Sequence, residues 1–376
     1  MLAKLRFRSA RAGLAYKSKL IDQVVTLFDL HRKSAIRALR RPPPATATPR
    51  RIGRPRAYAS SQLLPVLKPI WLAAQQPCGL RLAAALPDWI SADEQEHGAL
   101  GADVREPLLA ASPATLDRLL KPVRVQVHRP RGGTRPGTLL RQQIPIATTP
   151  WAVTRPGYLE LDTVALGGGR LDGDFIWMLD SVDCCTQWVE ARAVWNKGWY
   201  NTLEQLRDIE TRLPFALLGI DHDNGGELLN GHVLRYCQAR RAPVPMSRSR
   251  PYHSDDNAPI EQKNWTQIRQ WFGYERFENP AVAPLLNALT TGAWGQLLNY
   301  FCPVMKLQCK ERDGPRVRRV YDTPATPYAR LLAHAQVAVE KKAALRTQRA
   351  ALNPFALNRQ IEKELKNIFA LVRRHN

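Results

Sequence analysis

The chain has 376 residues, 44% of them hydrophobic, with 55 Lys and Arg against 33 Asp and Glu and a formal net charge of +22. That length suits roughly two or three domains, and the cation excess points to a polyanionic partner, since neutralised phosphates release condensed counterions. No apolar run of about 18 residues could span a bilayer, and the basic residues 1–8 lack the apolar stretch of a signal peptide, so no membrane role is expected. Six cysteines occur without CxxC pairs or zinc-like His spacing, which reads as reduced, structural thiols.

Residues 14–40 predict two short helices around a tight turn. Leu20, Val24, Leu27 and Phe28 recur at helical spacing, Asp29-Leu-His31 interrupts them, and Arg32-Lys-Ser-Ala-Ile-Arg-Ala-Leu-Arg-Arg41 follows. In the second helix Ala35, Ile36 and Leu39 would face inward. Arg32, Lys33, Arg37, Arg40 and Arg41 would face out, as in a helix-turn-helix recognition element; a solvated amphipathic helix has the same pattern. Residues 42–49 are a Pro-rich linker. They lead into Arg50-Arg-Ile-Gly-Arg-Pro-Arg56, where Arg54 and Arg56 could enter a narrow minor groove or simply touch phosphates.

Residues 57–145 predict a second helical, DNA-binding region and connector. Leu63, Leu67, Ile70 and Trp71 mark one helix. Leu80, Leu82 and Leu86 mark another, which Pro87-Asp-Trp89 is expected to end. Ser112-Pro-Ala-Thr-Leu-Asp-Arg-Leu-Leu120 opens with a Ser cap and Pro at the first helical position, a candidate reading helix.

From 157 the pattern changes. Residues 158–166, 175–182 and 187–194 are three strand-like runs joined by turns at Asp172-Gly-Asp174 and 183–186. A helix over 200–213, a strand over 215–220, a helix over 228–240 and a short strand at 244–246 follow. A last helix runs from about 254–257 through Glu261 to Trp271. The order is β-β-β-α-β-α-β-α.

Three acids stand out in this stretch. Asp162 lies inside the apolar run Tyr158-Leu-Glu-Leu-Asp-Thr-Val-Ala-Leu166, where an unpaired carboxylate is costly. Asp223 follows an apolar run and opens Asp223-Asn-Gly-Gly-Glu227, and Glu261 opens a helix. Carboxylates on rigid elements can hold divalent cations, which in-line phosphodiester chemistry needs. Asp221 shares the strand face with Asp223 if the strand continues, and Glu227 is a lesser rival. Asp255 and Asp256 compete with Glu261 but suit a helix cap.

The order of elements, with acids on the first strand, after the fourth and on the late helix, resembles the ribonuclease-H-like core of retroviral-type integrases and DDE transposases. Asp223-Asn-Gly-Gly-Glu227 resembles that family's Asp-Asn-Gly turn. Pro251-Tyr-His-Ser-Asp-Asp-Asn-Ala-Pro-Ile-Glu-Gln-Lys-Asn264 resembles the Asp-Asn-Ala-x-x-Glu stretch of bacterial insertion-sequence transposases. The resemblance implies that Asp162, Asp223 and Glu261 are both catalytic residues and ligands of two Mg²⁺ or Mn²⁺ ions. It further implies cleavage at the ends of a mobile element and transfer of the 3′-hydroxyl into target DNA, by a homo-oligomer on double-stranded DNA in a bacterial cytoplasm, at the nucleoid. Two rival readings are a catalytically silent DNA-binding regulator of transposase descent and a nuclease that only hydrolyses. Around the site Arg248, Arg250, Lys263 and Arg269 are candidate DNA contacts.

Beyond 300, residues 305–310 and 316–321 predict a small basic β hairpin around Asp313-Gly314, and 335–351 and 358–374 predict Lys- and Arg-rich helices. The expected architecture is therefore an α/β core with a mixed five-stranded sheet over 146–300. Helical helix-turn-helix modules at 1–56 and 57–145 precede it, and a small basic hairpin with a helical tail over 301–376 follows.

Overall fold

The computed structural model describes residues 2–40, 58–124, 153–170, 172–196, 198–222, 231–248, 264–313 and 316–375. These residues fall into two units, divided between Ala57 and Tyr58.

The N-terminal unit is three helices: α1 (Leu2–Arg11), α2 (Leu14–Phe28) and α3 (Arg32–Arg40). Leu5, Leu20, Val24, Ala35 and Leu39 form its core. The expected break is real: Asp29 takes the left-handed conformation (φ 49°) and ends α2, its N–H returning to the Val25 carbonyl. The His31 ring nitrogen then accepts from the Lys33 N–H at 3.3 Å and opens α3. Helix α1 was not expected from the pattern; Arg6 ties it to α3 by donating to the Ala38 carbonyl at 2.7 Å.

The larger unit begins with α4 (Ser60–Ala73), α5 (Gly79–His97), α6 (Ala102–Ala110) and α7 (Pro113–Leu120). Leu63, Leu67, Ile70 and Trp71 are buried on α4 as the spacing predicts. Ser112 caps α7, its hydroxyl accepting from the Thr115 N–H. Pro87 does not end its helix, contrary to expectation: α5 runs through it to His97. Trp89 and Ile90 beyond the proline are fully buried, and that burial outweighs an interior proline's cost of about 3 kcal/mol.

The sheet comprises β1 (Tyr158–Ala165), β2 (Ile176–Asp183), β3 (Val189–Trp195), β4 (Gly219–His222) and β5 (Met246–Arg248), ordered β3-β2-β1-β4-β5. β1, β2 and β3 pair antiparallel, and β4 and β5 run parallel to β1. Helices α8 (Trp199–Arg212) and α9 (Gly231–Gln238) follow β3 and β4. This mixed five-stranded sheet with helices fits a ribonuclease-H-like core. Its strands enter through Gly157 (φ 119°), where a Cβ would stand 2.3 Å from the Ala216 carbonyl oxygen. The Gly157 N–H donates to Asp183 and its carbonyl accepts from Leu218. Asp183 also accepts from the Thr186 N–H and hydroxyl, so it is a turn residue.

After β5 the chain forms α10, a π-helical stretch Asn264–Arg269 continued by Gln270–Phe272. Next come α11 (Val282–Leu289), a π turn kinked at Gly292, and α12 (Gly295–Phe301). β6 (Leu307–Asp313) and β7 (Arg316–Tyr321) pair antiparallel, with β6 spanning 307–313 rather than the expected 305–310. Helices α13 (Pro327–Ala333), α14 (Val339–Ala350) and α15 (Pro354–His375) end the chain.

The tail closes the unit. Ile361, Ile368 and Val372 of α15 are buried in the cluster that also holds α4, α5 and the sheet. Trp89 stacks edge-on against Phe355 at 5.1 Å and donates to the Phe301 carbonyl.

β3 is one of the two outer strands, and an open strand edge invites pairing with another chain. Side chains cover this one. Asn299 donates to and accepts from the Val189 backbone, both at 2.9 Å. Asn287 does the same for Ala193, and Arg192 donates to the Ala191 carbonyl. Removing the Asn299 amide strands two buried backbone groups, each costing about 1–3 kcal/mol. Asn299→Ala should therefore lower the unfolding free energy by roughly that amount in urea titration; an unchanged midpoint would show the edge needs no such clamp.

Arg192 is fully buried and pairs with Glu190 (3.0 Å) on its own strand and Asp208 (2.6 Å) on α8. Burial pushes the Glu190 carboxyl above its ordinary value, although Arg192 and the Trp188 N–H pull it down. The folded protein thus keeps a proton that the unfolded chain releases. The Glu190 contribution is complete below its unfolded pKa, about 4.3, and is lost as pH rises through the folded value. Glu190→Gln should flatten that decline, so wild-type and variant urea midpoints should diverge from pH ~4 upward; parallel profiles would clear Glu190 as the cause.

Candidate active site

The five strands present one acidic face. Side chains paired across a ladder share a face, and residues two apart on one strand do as well. Asp162 on β1 pairs with Asp180 on β2, Glu160 with Asp221 on β4, and Asp221 with Ser247 on β5. Four carboxylates therefore stand on one side of the sheet, whereas Leu159, Leu161, Leu179 and Ile220 line the other.

Asp162 is half-buried, and its Oδ1 accepts from the Thr163 N–H at 2.7 Å. Asp180 is fully buried. The Gln267 amide nitrogen, oriented to satisfy both groups, donates to its two oxygens at 3.1 and 2.7 Å. That bond brings α10 onto the acidic face at β2. Trp271 is buried on the same helix. Asp221 accepts from the Ser247 hydroxyl at 2.6 Å. Among the described residues the β1–β4 pairing runs as far as Leu161↔His222.

Asp223 and Glu261 lie outside the described residues, with their rivals Glu227, Asp255 and Asp256 and the candidate contacts Arg54, Arg56, Arg250 and Lys263. Arg248 is described by its backbone alone, as the last residue of β5. Arg269 is half-buried; its guanidinium lies over the Tyr274 ring at 4.9 Å and donates to the Gly273 carbonyl. Desolvation there lowers its pKa. It is turned onto the end of its own helix.

In the N-terminal unit Lys33 and Arg37 are exposed on α3, opposite the buried Ala35 and Leu39. Arg32 is exposed too, but pairs with Asp22 and bonds the Ser18 hydroxyl of α2.

Among the described residues no three His, Cys, Asp or Glu side chains stand close enough to hold a metal ion. The donor chemistry nevertheless fits one. Two carboxylates directly opposite each other repel, and a hard divalent cation with carboxylate ligands would offset that repulsion. None of the cysteines is in a disulfide, and burial pushes the Cys237 thiol up to about 11 and that of Cys302 to about 12.

The residue that sequence reasoning missed is Asp180. It was readable by the rule that singled out Asp162, an acid in the middle of the apolar run Ile176-Trp-Met-Leu-Asp180.

Among described residues no helix is long and apolar enough to cross a membrane. No protein-family model matches the chain. Among solved structures the catalytic core domain of BIV integrase is similar at a TM-score of 0.29 and 13% identity, over 46% of this chain and 91% of that one. The uncharacterized protein y4rM of Sinorhizobium fredii (strain NBRC 101917 / NGR234) is 33% identical over 339 residues, 86% of this chain and 91% of that protein. An identity of that level over nearly the whole of both chains places this protein in one family with y4rM.

Proposed function

We propose that the chain is a DNA transposase, a polynucleotidyl transferase that cuts the ends of a mobile element and joins the freed 3′-hydroxyl to target DNA. The observation that carries this reading is the placement of Asp162. It is a half-buried carboxylate in the middle strand of a mixed sheet, on a face with three further acids, and the ladder to β4 runs up to it from the side where Asp223 follows in sequence.

In this reading Asp162, Asp223 and Glu261 hold two divalent ions. Bound Mg²⁺ or Mn²⁺ would activate the attacking oxygen and stabilise the leaving one in an in-line displacement. Hard carboxylate oxygens suit those ions better than zinc. The chain's own contribution is rigidity: Asp162 is fixed in the β1–β2 ladder and tied to the Thr163 N–H. No nucleophilic side chain is required, because water and then the DNA 3′-hydroxyl attack. Asp221 is the weaker candidate for the second acid, since its carboxylate is taken up by Ser247.

The net charge of +22 supports duplex DNA as partner. So does α3, whose Lys33, Arg37 and Arg40 are exposed beside Arg32. Arg54, Arg56, Arg248, Arg250, Lys263 and Arg269 are the further proposed contacts, Arg269 only if it leaves Tyr274.

The test uses duplex DNA from the segments flanking the coding sequence, with Mg²⁺. Asp162→Asn, Asp223→Asn and Glu261→Gln should each abolish cleavage and strand transfer while DNA binding persists. Turnover lost in Asp221→Asn but kept in Asp223→Asn would move the second acid; binding without cleavage by the wild type would favour the silent regulator. Reversing charge in Lys33→Glu/Arg37→Glu should weaken binding and reduce the salt slope by about two, near one per phosphate contact. An unchanged slope would take α3 off the DNA.

A further inference from the structure

Asp180 is an expensive residue in its position. It is fully buried in the middle of β2, where its neighbours on the same face, Met178 and Val182, are apolar and equally buried. A carboxylate there costs free energy that a methionine or valine would not. It stands directly opposite Asp162, typically about 5 Å away between Cβ atoms in such a pair, which adds repulsion. On its other side β3 offers only the methyl of Ala191. One partner it obtains is the Gln267 amide, 5% exposed, which reaches it from α10.

Gln267 occupies the π-helical stretch Asn264–Arg269, a wide-turn geometry that recurs at functional sites. Glu261 lies just ahead of that stretch in the chain. We propose that Asp180 is a positioning residue: with Gln267 it pins α10 to the sheet beside Asp162, and so sets where the chain leading from Glu261 approaches Asp162. This rests on the reading of Asp162 and Glu261 as partners in one site. The hydrogen bond fixes both the rotation of α10 and its height above β2, because one amide nitrogen is shared between both carboxylate oxygens. An apolar pair at these positions would pack but would leave the helix free to shift along the strand.

The experiment uses the full chain and the same flanking duplex. Asp180→Ala, Asp180→Asn, Gln267→Ala and the Ala double variant are compared, with Asp162→Asn as control. Three quantities are read: kcat and KM for DNA cleavage, DNA affinity, and the Mn²⁺ concentration giving a half-maximal thermal shift. Asp180→Ala and Gln267→Ala should each lower kcat about 10–100-fold, the usual scale for losing a partner behind a metal ligand. Each should raise the half-saturating Mn²⁺ concentration while KM and DNA affinity stay put. The double variant should be no worse than the worse single, and Asp180→Asn, which keeps one acceptor oxygen, should recover most of the loss. Losses that multiply in the double variant, an Mn²⁺ response identical to wild type, or a normal kcat in Gln267→Ala would each overturn the proposal; Gln267→Ala decides it if Asp180→Ala does not fold. If Asp162→Asn itself cleaves normally, the site assignment fails instead, and the two failures are distinct.

Discussion

Two carboxylates facing each other across the middle of the sheet, Asp162 and Asp180, set the condition that the rest of the core has to satisfy. Like charges directly opposite are unfavourable, and a buried charge without partners is worse. The fold answers in two ways. Asp180 is wholly enclosed and given an amide donor from α10, while Asp162 stays half-buried where ions can reach it. The enclosure of Asp180 thus follows from the helix that packs on it.

A sheet that spends one face on acids must gain its stability elsewhere. The opposite face buries Leu159, Leu161, Leu179 and Ile220. On that face Arg192 and Glu190 fasten α8 through Asp208. That cluster is itself costly, because each charge is removed from water, and it is tolerable only while every partner is present. The β3 edge is closed by Asn287 and Asn299, whose amides imitate the strand that is missing. These two residues come from α11 and α12, which in turn are covered by α15. Stability at the acidic face is therefore supplied from helices far along the chain.

This layering explains what was legible in the sequence. The first three strands of the sheet were readable because apolar runs broken by turn residues report local preference, whereas β4 and β5 begin later than the expected 215–220 and 244–246. The Asp29 break and the Ser112 cap were readable for the same reason. Asp162 was conspicuous as an acid in such a run. Pro87 misled because a local rule was overridden by the burial of Trp89 and Ile90, contacts made with Phe301 and Phe355 more than two hundred residues away. The clamps of Asn287 and Asn299 carry no local signature at all: a helical Asn is unremarkable until a strand edge lies beneath it. Asp180 was visible as an anomaly, but its meaning depended on register and on Gln267, and neither is a property of the segment itself.

The N-terminal unit poses a different physical problem. Its described part is three short helices around five buried residues, with no cysteine to cross-link it. Domains of about 40 residues rarely hold together without disulfides, metals or a partner. Such a unit gains stability from anything that binds only its folded form. Its exposed surface carries Lys33, Arg37 and Arg40 on one helix, close in sequence and mutually repulsive without counter-charge. A phosphate backbone would relieve that repulsion and stabilise the three helices in the same step. On the proposed reading, recognition of DNA and ordering of this unit are therefore one linked equilibrium, in contrast to the acidic face, whose geometry is set in advance by long-range packing.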